Sequence, residues 1–268
     1  MTRVTEAVVS DTIPKSFVLA VERWRDLPAI REKDMGIWKT VTWGQWFERS
    51  KAIAYALDGI GFRPGDVASV LCNTKPEWVY ADMGVLLAGG VASGIYPTDS
   101  ARQVEYLIND SSTKVLFVED DEQLDKALEV RGRCPTLEKI VVFDMEGLSH
   151  FSDPMVTSLT AFIEAGRARI PGRETLLDEM LAARGIDDLA ILVYTSGTTG
   201  PPKGAMHAHR SVLAQMRHAP SLYGSGVGEA RLLFLPMCHV AERIGGYYTS
   251  VGMGAGMKFA GSPGTVPD

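Results

Sequence analysis

Leu189-Ala-Ile-Leu-Val193 runs directly into Tyr194-Thr-Ser-Gly-Thr-Thr-Gly-Pro-Pro-Lys-Gly204. The first stretch is apolar without alternation, the pattern of a strand buried on both faces. The second is rich in glycine and hydroxyl residues and closes on a lysine. A buried strand ending in such a loop places the loop at the carboxyl edge of an α/β sheet, where these folds bind ligands. Gly197, Gly200 and Gly204 permit close backbone approach, so successive amides can turn toward anionic oxygens. Thr195, Ser196, Thr198 and Thr199 add hydroxyl donors, and Lys203 adds a mobile cation. The stretch reads as a polyphosphate cradle.

The cradle is not of the Walker type. That loop has the spacing G-x-x-x-x-G-K-[ST], with glycine before the lysine and a magnesium-binding hydroxyl after it. Here Pro202 precedes Lys203 and Gly204 follows it. The proline removes one amide donor and stiffens the turn.

Outward from this loop the chain alternates helix and strand. Thr42 to Ile60 is a helix by pattern, with Trp43, Trp46, Phe47, Ile53, Ala54 and Leu57 on one face, Thr42 as N-cap and Gly61 as stop. Strands follow at Val67–Cys72, Val91–Ile95 and Val115–Val118, separated by helices over Pro76–Leu87 and Ala101–Asn109. Such alternation predicts an α/β fold with parallel-rich sheets and helices on both faces. Pro154, Gly166, Pro171 and Gly172 loosen the pattern between two short helical stretches. The expected organisation is a first α/β subdomain over residues 1–143, a surface connection over 144–187, and the start of a second subdomain with the phosphate loop over 188–268. His207 to His218 is expected to form a helix beginning near the phosphates, and Leu232–Leu235 the next strand. Lys75 and Glu77 read as an exposed helix start, and Gly252–Gly256 as a helix-to-strand turn.

Composition agrees with a globular enzyme: 46% hydrophobic and 22% charged residues. A net charge of -6 argues against a nucleic-acid partner, which requires a basic face. Cys72, Cys134 and Cys238 are odd in number and widely spaced, suggesting neither a disulfide framework nor a zinc site. The N-terminus does not resemble a secretory signal, and no apolar run reaches the length of a membrane span. The expected location is cytoplasmic, with at most peripheral membrane contact.

Tyr194–Gly204 resembles the signature of the adenylate-forming superfamily. Leu86-Leu-Ala-Gly-Gly-Val-Ala-Ser-Gly-Ile-Tyr-Pro-Thr-Asp-Ser100 resembles its second core motif, and Leu235-Pro-Met-Cys-His-Val-Ala-Glu-Arg243 its fourth, in a form similar to long-chain fatty acyl-CoA synthetases. The resemblance runs from about residue 15 to the end of the chain. It implies the N-terminal part of that superfamily's large domain and a two-step ligation. A carboxylate attacks the α-phosphorus of ATP to give acyl-adenylate and pyrophosphate; coenzyme A then displaces AMP. ATP, Mg2+ and coenzyme A are the implied cofactors, with a fatty acid as partner substrate. Thr195, Ser196, Gly197, Thr198, Thr199, Gly200 and Lys203 would hold the ATP phosphates, and His239 would border the acyl group and adenylate. Glu242 and Arg243 either fix the loop by an ion pair or face substrate. No metal-ligating residue is expected within this chain, the superfamily's motif for adenine and magnesium being one of the later ones.

The superfamily's later motifs for adenine, ribose and the adenylation lysine do not follow Arg243. The chain therefore reads as an N-terminal portion, expected to be catalytically incomplete and to depend on a separate or missing C-terminal portion. The alternatives are a nucleotide-binding remnant or regulatory module, and a fatty acyl-AMP ligase.

Overall fold

A computed structural model describes residues 6–34, 36–195, 200–224 and 226–260. Helix α1 (Ile13–Trp24) leads into strands β1 (Pro28–Asp34) and β2 (Ile37–Thr42), then helix α2 (Trp43–Gly59). The α/β alternation follows: β3 (Val67–Leu71), α3 (Pro76–Leu87), β4 (Val91–Ile95), α4 (Ala101–Ser111), β5 (Thr113–Val118), α5 (Asp121–Val130) and β6 (Lys139–Val142). The looser stretch holds β7 (Val156–Ser158), α6 (Leu159–Arg169) and α7 (Leu176–Ala182). Beyond it lie β8 (Leu189–Thr195), β9 (Lys203–Ala208), α8 (His209–Tyr223) and β10 (Ala230–Leu233). A π-helical segment over Ala241–Tyr248, α9 (Thr249–Met253) and β11 (Gly256–Phe259) complete the order.

The strands form two sheets. One has the order β7-β6-β5-β3-β4-β8-β9, parallel throughout except for the edge pair β8 and β9. The other has the order β10-β11-β1-β2, parallel except for β1 against β2. Segments 1–143 and 188–268 both contribute to both sheets: β8 joins beside β4, while β1 pairs with β11.

Alternation along the central strands explains the two cores. Ala68 and Val70 of β3, Val115 and Phe117 of β5, and Ile191 and Val193 of β8 pack into the larger cluster with α2, α3, α6 and α7. Leu71, Leu116, Val118, Leu192 and Tyr194 pack on the opposite face with residues of α4 and α5. Both faces are covered, so these strands read as continuous apolar runs. Thr42 caps α2 in a full capping box with Gln45; of the expected aromatic stripe, Trp43 and Trp46 are buried against Phe17 of α1, while Phe47 is half-buried at its edge. Helix α2 lies against α3 and α6 through glycines: a Cβ on Gly84 would meet Ile53 Cγ2 at 2.5 Å, and one on Gly166 would meet the Ala52 carbonyl at 1.8 Å.

Two local expectations are corrected. Lys203 to Ala208 is a strand antiparallel to β8, so the following helix begins at His209 rather than His207. Its first amide donates to the Asp188 carbonyl, at the opposite end of β8 from Thr195, so its dipole does not address that end of the strand. The strand near residue 232 covers Ala230–Leu233, because the amides of Phe234 and Leu235 turn away to the Glu242 carboxylate.

Candidate functional site

The parallel strands of the larger sheet share one direction, so the segments after β3, β4, β5 and β8 emerge along one carboxyl edge. Thr195 ends β8 there and is paired with Lys203 of β9. Both are exposed, as is Gly200, whose φ of 92° requires a residue without a Cβ. Ser196, Gly197, Thr198 and Thr199 lie outside the described residues. The limb carrying Lys203 is held from α4. The Tyr106 hydroxyl donates to the Pro202 carbonyl at 3.0 Å, and the Tyr194 hydroxyl donates to Asp110 Oδ2 at 2.7 Å. The Tyr194 ring covers Gly204, where a Cβ would approach to 3.1 Å. The two residues flanking the lysine are thus fixed by aromatic side chains, while the lysine itself stays exposed.

His239 follows Cys238, which is seated on β4 because Gly94 has no side chain; a Cβ there would lie 2.8 Å from Cys238 Cα. Burial pushes the Cys238 thiol up to about 12, so it is an unreactive wedge. His239 is exposed, and its Nδ1 accepts the Ala241 amide at 3.1 Å. In the neutral ring the proton therefore sits on Nε2, which is left as the ring's hydrogen-bond donor.

Glu242 and Arg243 turn inward. Glu242 is 4% exposed and accepts the amides of Phe234 and Leu235 at 3.3 and 2.8 Å; burial raises its pKa against those hydrogen bonds. Arg243 is fully buried. Its Nη2 donates to Asp82 Oδ1 at 2.5 Å and to the Ala92 carbonyl at 3.1 Å, and its Nη1 to the Leu192 carbonyl at 3.3 Å. Burial opposes its charge, but Asp82 holds it protonated. Tyr248 donates to Asp82 Oδ2 at 2.7 Å, and the guanidinium lies 4.9 Å from the centre of the Trp78 ring. Each residue therefore has its own partners, and the two do not pair with each other.

Sequence reasoning missed a cavity of about 390 Å³ where the carboxyl edges of the two sheets meet. It is lined by Cys72 to Lys75 after β3, Tyr96 to Thr98 after β4, Glu119 after β5, and Phe234, Pro236, Phe259 and Ala260 from the smaller sheet. The Thr74 hydroxyl closes one side by donating to the Leu235 carbonyl at 2.6 Å. Lys75, read as an exposed helix start, pairs with Glu119 at 2.9 Å. Glu119 also accepts the Asn73 amide and side-chain nitrogen at 2.7 and 2.8 Å. Burial would raise the Glu119 pKa, but Asn73 and Lys75 together hold it below the usual carboxylate value. His239, Thr195 and Lys203 do not line this cavity among the described residues. The structure thus presents two features along one edge: an exposed hydroxyl and ammonium pair, and a partly apolar cavity with a fixed ion pair.

His209, read as part of the helix after the loop, is buried, and its Nδ1 accepts the Ile13 amide at 3.2 Å. Among the described residues no group of three or more His, Cys, Asp and Glu side chains could hold a metal, and no helix is long and apolar enough to cross a membrane.

The family described as AMP-binding enzyme matches residues 17–267. Long-chain-fatty-acid–CoA ligase ACSBG2 of Rattus norvegicus is 32% identical over 254 residues, covering 93% of this chain and 37% of that protein. ACSBG1 of Homo sapiens is 28% identical over 258 residues, covering 93% and 34%. The chain thus spans little more than a third of the length of these relatives. Among solved structures, Mycobacterium tuberculosis fatty acyl CoA synthetase matches with a TM-score of 0.75 at 22% identity, over 94% of this chain and 45% of that one. The anthranilate CoA ligase AuaEII, in complex with anthranoyl-AMP, gives 0.74 at 24% identity, over 92% and 44%. These structural likenesses establish the α/β fold.

Proposed function

The chain belongs to the AMP-binding enzyme family, and from that premise we propose that it forms the phosphate-binding portion of an ATP-dependent ligase that joins a long-chain fatty acid to coenzyme A through an acyl-adenylate. The observation carrying this reading is the cradle at the end of β8, with Thr195 and Lys203 exposed side by side at the carboxyl edge. Two anions must approach for a carboxylate to attack ATP, so a cation and hydroxyl donors that screen the triphosphate lower the barrier electrostatically. Thr195, Gly200 and Lys203, with Ser196, Gly197, Thr198 and Thr199, take the β- and γ-phosphates and the departing pyrophosphate. His239 offers its Nε2 proton to an oxygen of the acyl carboxylate or adenylate, a binding rather than a proton-abstracting role.

The exposed ammonium and hydroxyls suit phosphate oxygens and supply no carboxylate cage for a metal, so magnesium would enter with ATP and neutralise phosphate charge. The protein's own residues bind and orient. The cavity between the sheets, with aromatic and proline walls beside the Lys75–Glu119 pair, is suited to a ligand with both apolar and anionic parts.

Pyrophosphate exchange into ATP, measured with a series of fatty acids on purified protein with and without the C-terminal portion of a long-chain relative supplied, tests the reading. Exchange that rises with acyl chain length supports it. ATP binding by calorimetry without exchange would instead mark a nucleotide-binding module, and exchange without coenzyme A transfer a fatty acyl-AMP ligase. Absence of both binding and exchange sinks the proposal.

A further inference from the structure

We propose that Arg243 is a positioning residue, whose buried guanidinium sets the spacing between β8, which carries Thr195 and pairs with Lys203 of β9, and the turn carrying His239; this rests on the ligase reading for its functional consequence. The two motifs belong to separate elements that could slide relative to one another, and Arg243 touches both. Its amide donates to the His239 carbonyl at 3.0 Å, fixing it to the turn. Its Nη1 reaches the carbonyl of Leu192, three residues before Thr195, and its Nη2 the carbonyl of Ala92 on the neighbouring strand. Asp82 of α3 completes the set on Nη2.

The chemistry of the pair supports a geometric role over a purely stabilising one. A buried ion pair gains little net stability over well-packed apolar residues, because desolvation offsets the attraction. Here the cost is compounded: Arg243 Nε is buried with no hydrogen-bond partner among the described residues. What the guanidinium offers is a rigid planar fork, which fixes a carboxylate and two carbonyls from three elements in one arrangement; a lysine ammonium lacks that fork. The rest of the contact is tight as well. Gly94 seats Cys238 on β4, and the Trp78 ring lies against the guanidinium. Movement of the turn is therefore passed to the β8 backbone a few residues from the cradle.

The test introduces Lys203→Cys and His239→Cys for paired spin labels, the native cysteines Cys72, Cys134 and Cys238 being buried. With Arg243 present, the label distance is expected to be single and narrow. Arg243→Lys, which keeps the charge, and the paired change Asp82→Asn with Arg243→Met are each expected to broaden or shift it while circular dichroism remains that of the folded protein. In the protein without labels, the same changes are expected to weaken ATP binding at least tenfold, and Lys203→Ala added on top to cost less than it does alone. An unchanged label distance in either folded variant overturns the proposal, as does unchanged ATP affinity in protein that binds ATP to begin with. If the parent protein binds no ATP, the ligase reading fails, and the label distance alone still decides whether Arg243 positions the two motifs.

Discussion

Lys203 is the residue on which the nucleotide reading turns. It stands exposed opposite Thr195, and a charge-assisted contact from an ammonium to phosphate is worth about 1.5–3 kcal/mol. Lys203→Ala is therefore expected to weaken ATP binding by roughly tenfold or more in calorimetry, with Tm unchanged because the side chain supports no core. The cradle was readable from the sequence as a proposal because its chemistry is local, every donor lying within a few residues of the next. The Lys75–Glu119 pair was not: its partners follow different strands, and only the parallel pairing of β3 with β5 brings them together. A residue with a different consequence is His209. Burial pushes its pKa down to about 4, so between roughly 4 and 6.5 the folded state binds fewer protons than the unfolded state. The stability it contributes is complete above about 6.5 and is lost as pH falls toward 4, by a few kcal/mol at most on a scale of about 1.4 per unit. Denaturant midpoints measured between pH 7 and 4.5 should fall accordingly. His209→Asn, whose Oδ1 can accept the same Ile13 amide without titrating, should flatten that dependence.

Among elements, α2 is tightly constrained, because glycines of α3 and α6 let these neighbours approach it closely. At Gly166 of α6 a methyl would overlap the Ala52 carbonyl, so the helices must separate or tilt. Gly166→Ala is expected to destabilise by about 1–3 kcal/mol, the cost of overpacking, against the small gain in helix propensity that the same change gives at an open site. Thermal unfolding of the variant checks both sign and size. The bounds of α3 and β4 were readable because their signals are local: Pro76 opens one, and the apolar run ending at Ile95 marks the other. The start of α8 was not readable, since residues 203 to 208 are recruited into the sheet by β8. Their backbone gains partners that no local periodicity announces. The same holds for Leu235, whose amide is drawn out of the expected strand by Glu242.

At the scale of the molecule, the two sheets share a core and are stitched by contacts far apart in sequence. Asp82 and Arg243 join α3 to the segment after β10, and Thr74 joins the end of β3 to Leu235. Unfolding is therefore expected to be one event: tryptophan fluorescence and far-ultraviolet circular dichroism should report coincident denaturant transitions. Separated transitions would mean that the sheets melt independently. The fold class was legible from the alternation of helix and strand, but sheet membership was not, since nothing local tells β1 that its neighbour is β11. That pairing has a consequence for biosynthesis. Ile30 aligns with Met257, more than two hundred residues later. At about 5–20 residues per second, a ribosome takes on the order of ten to forty seconds to cover that distance. Throughout that interval one edge of β1 has no sheet to join, so the nascent chain carries a strand open to wrong partners. Chaperone engagement early in translation should matter more for this protein's yield than its final stability does.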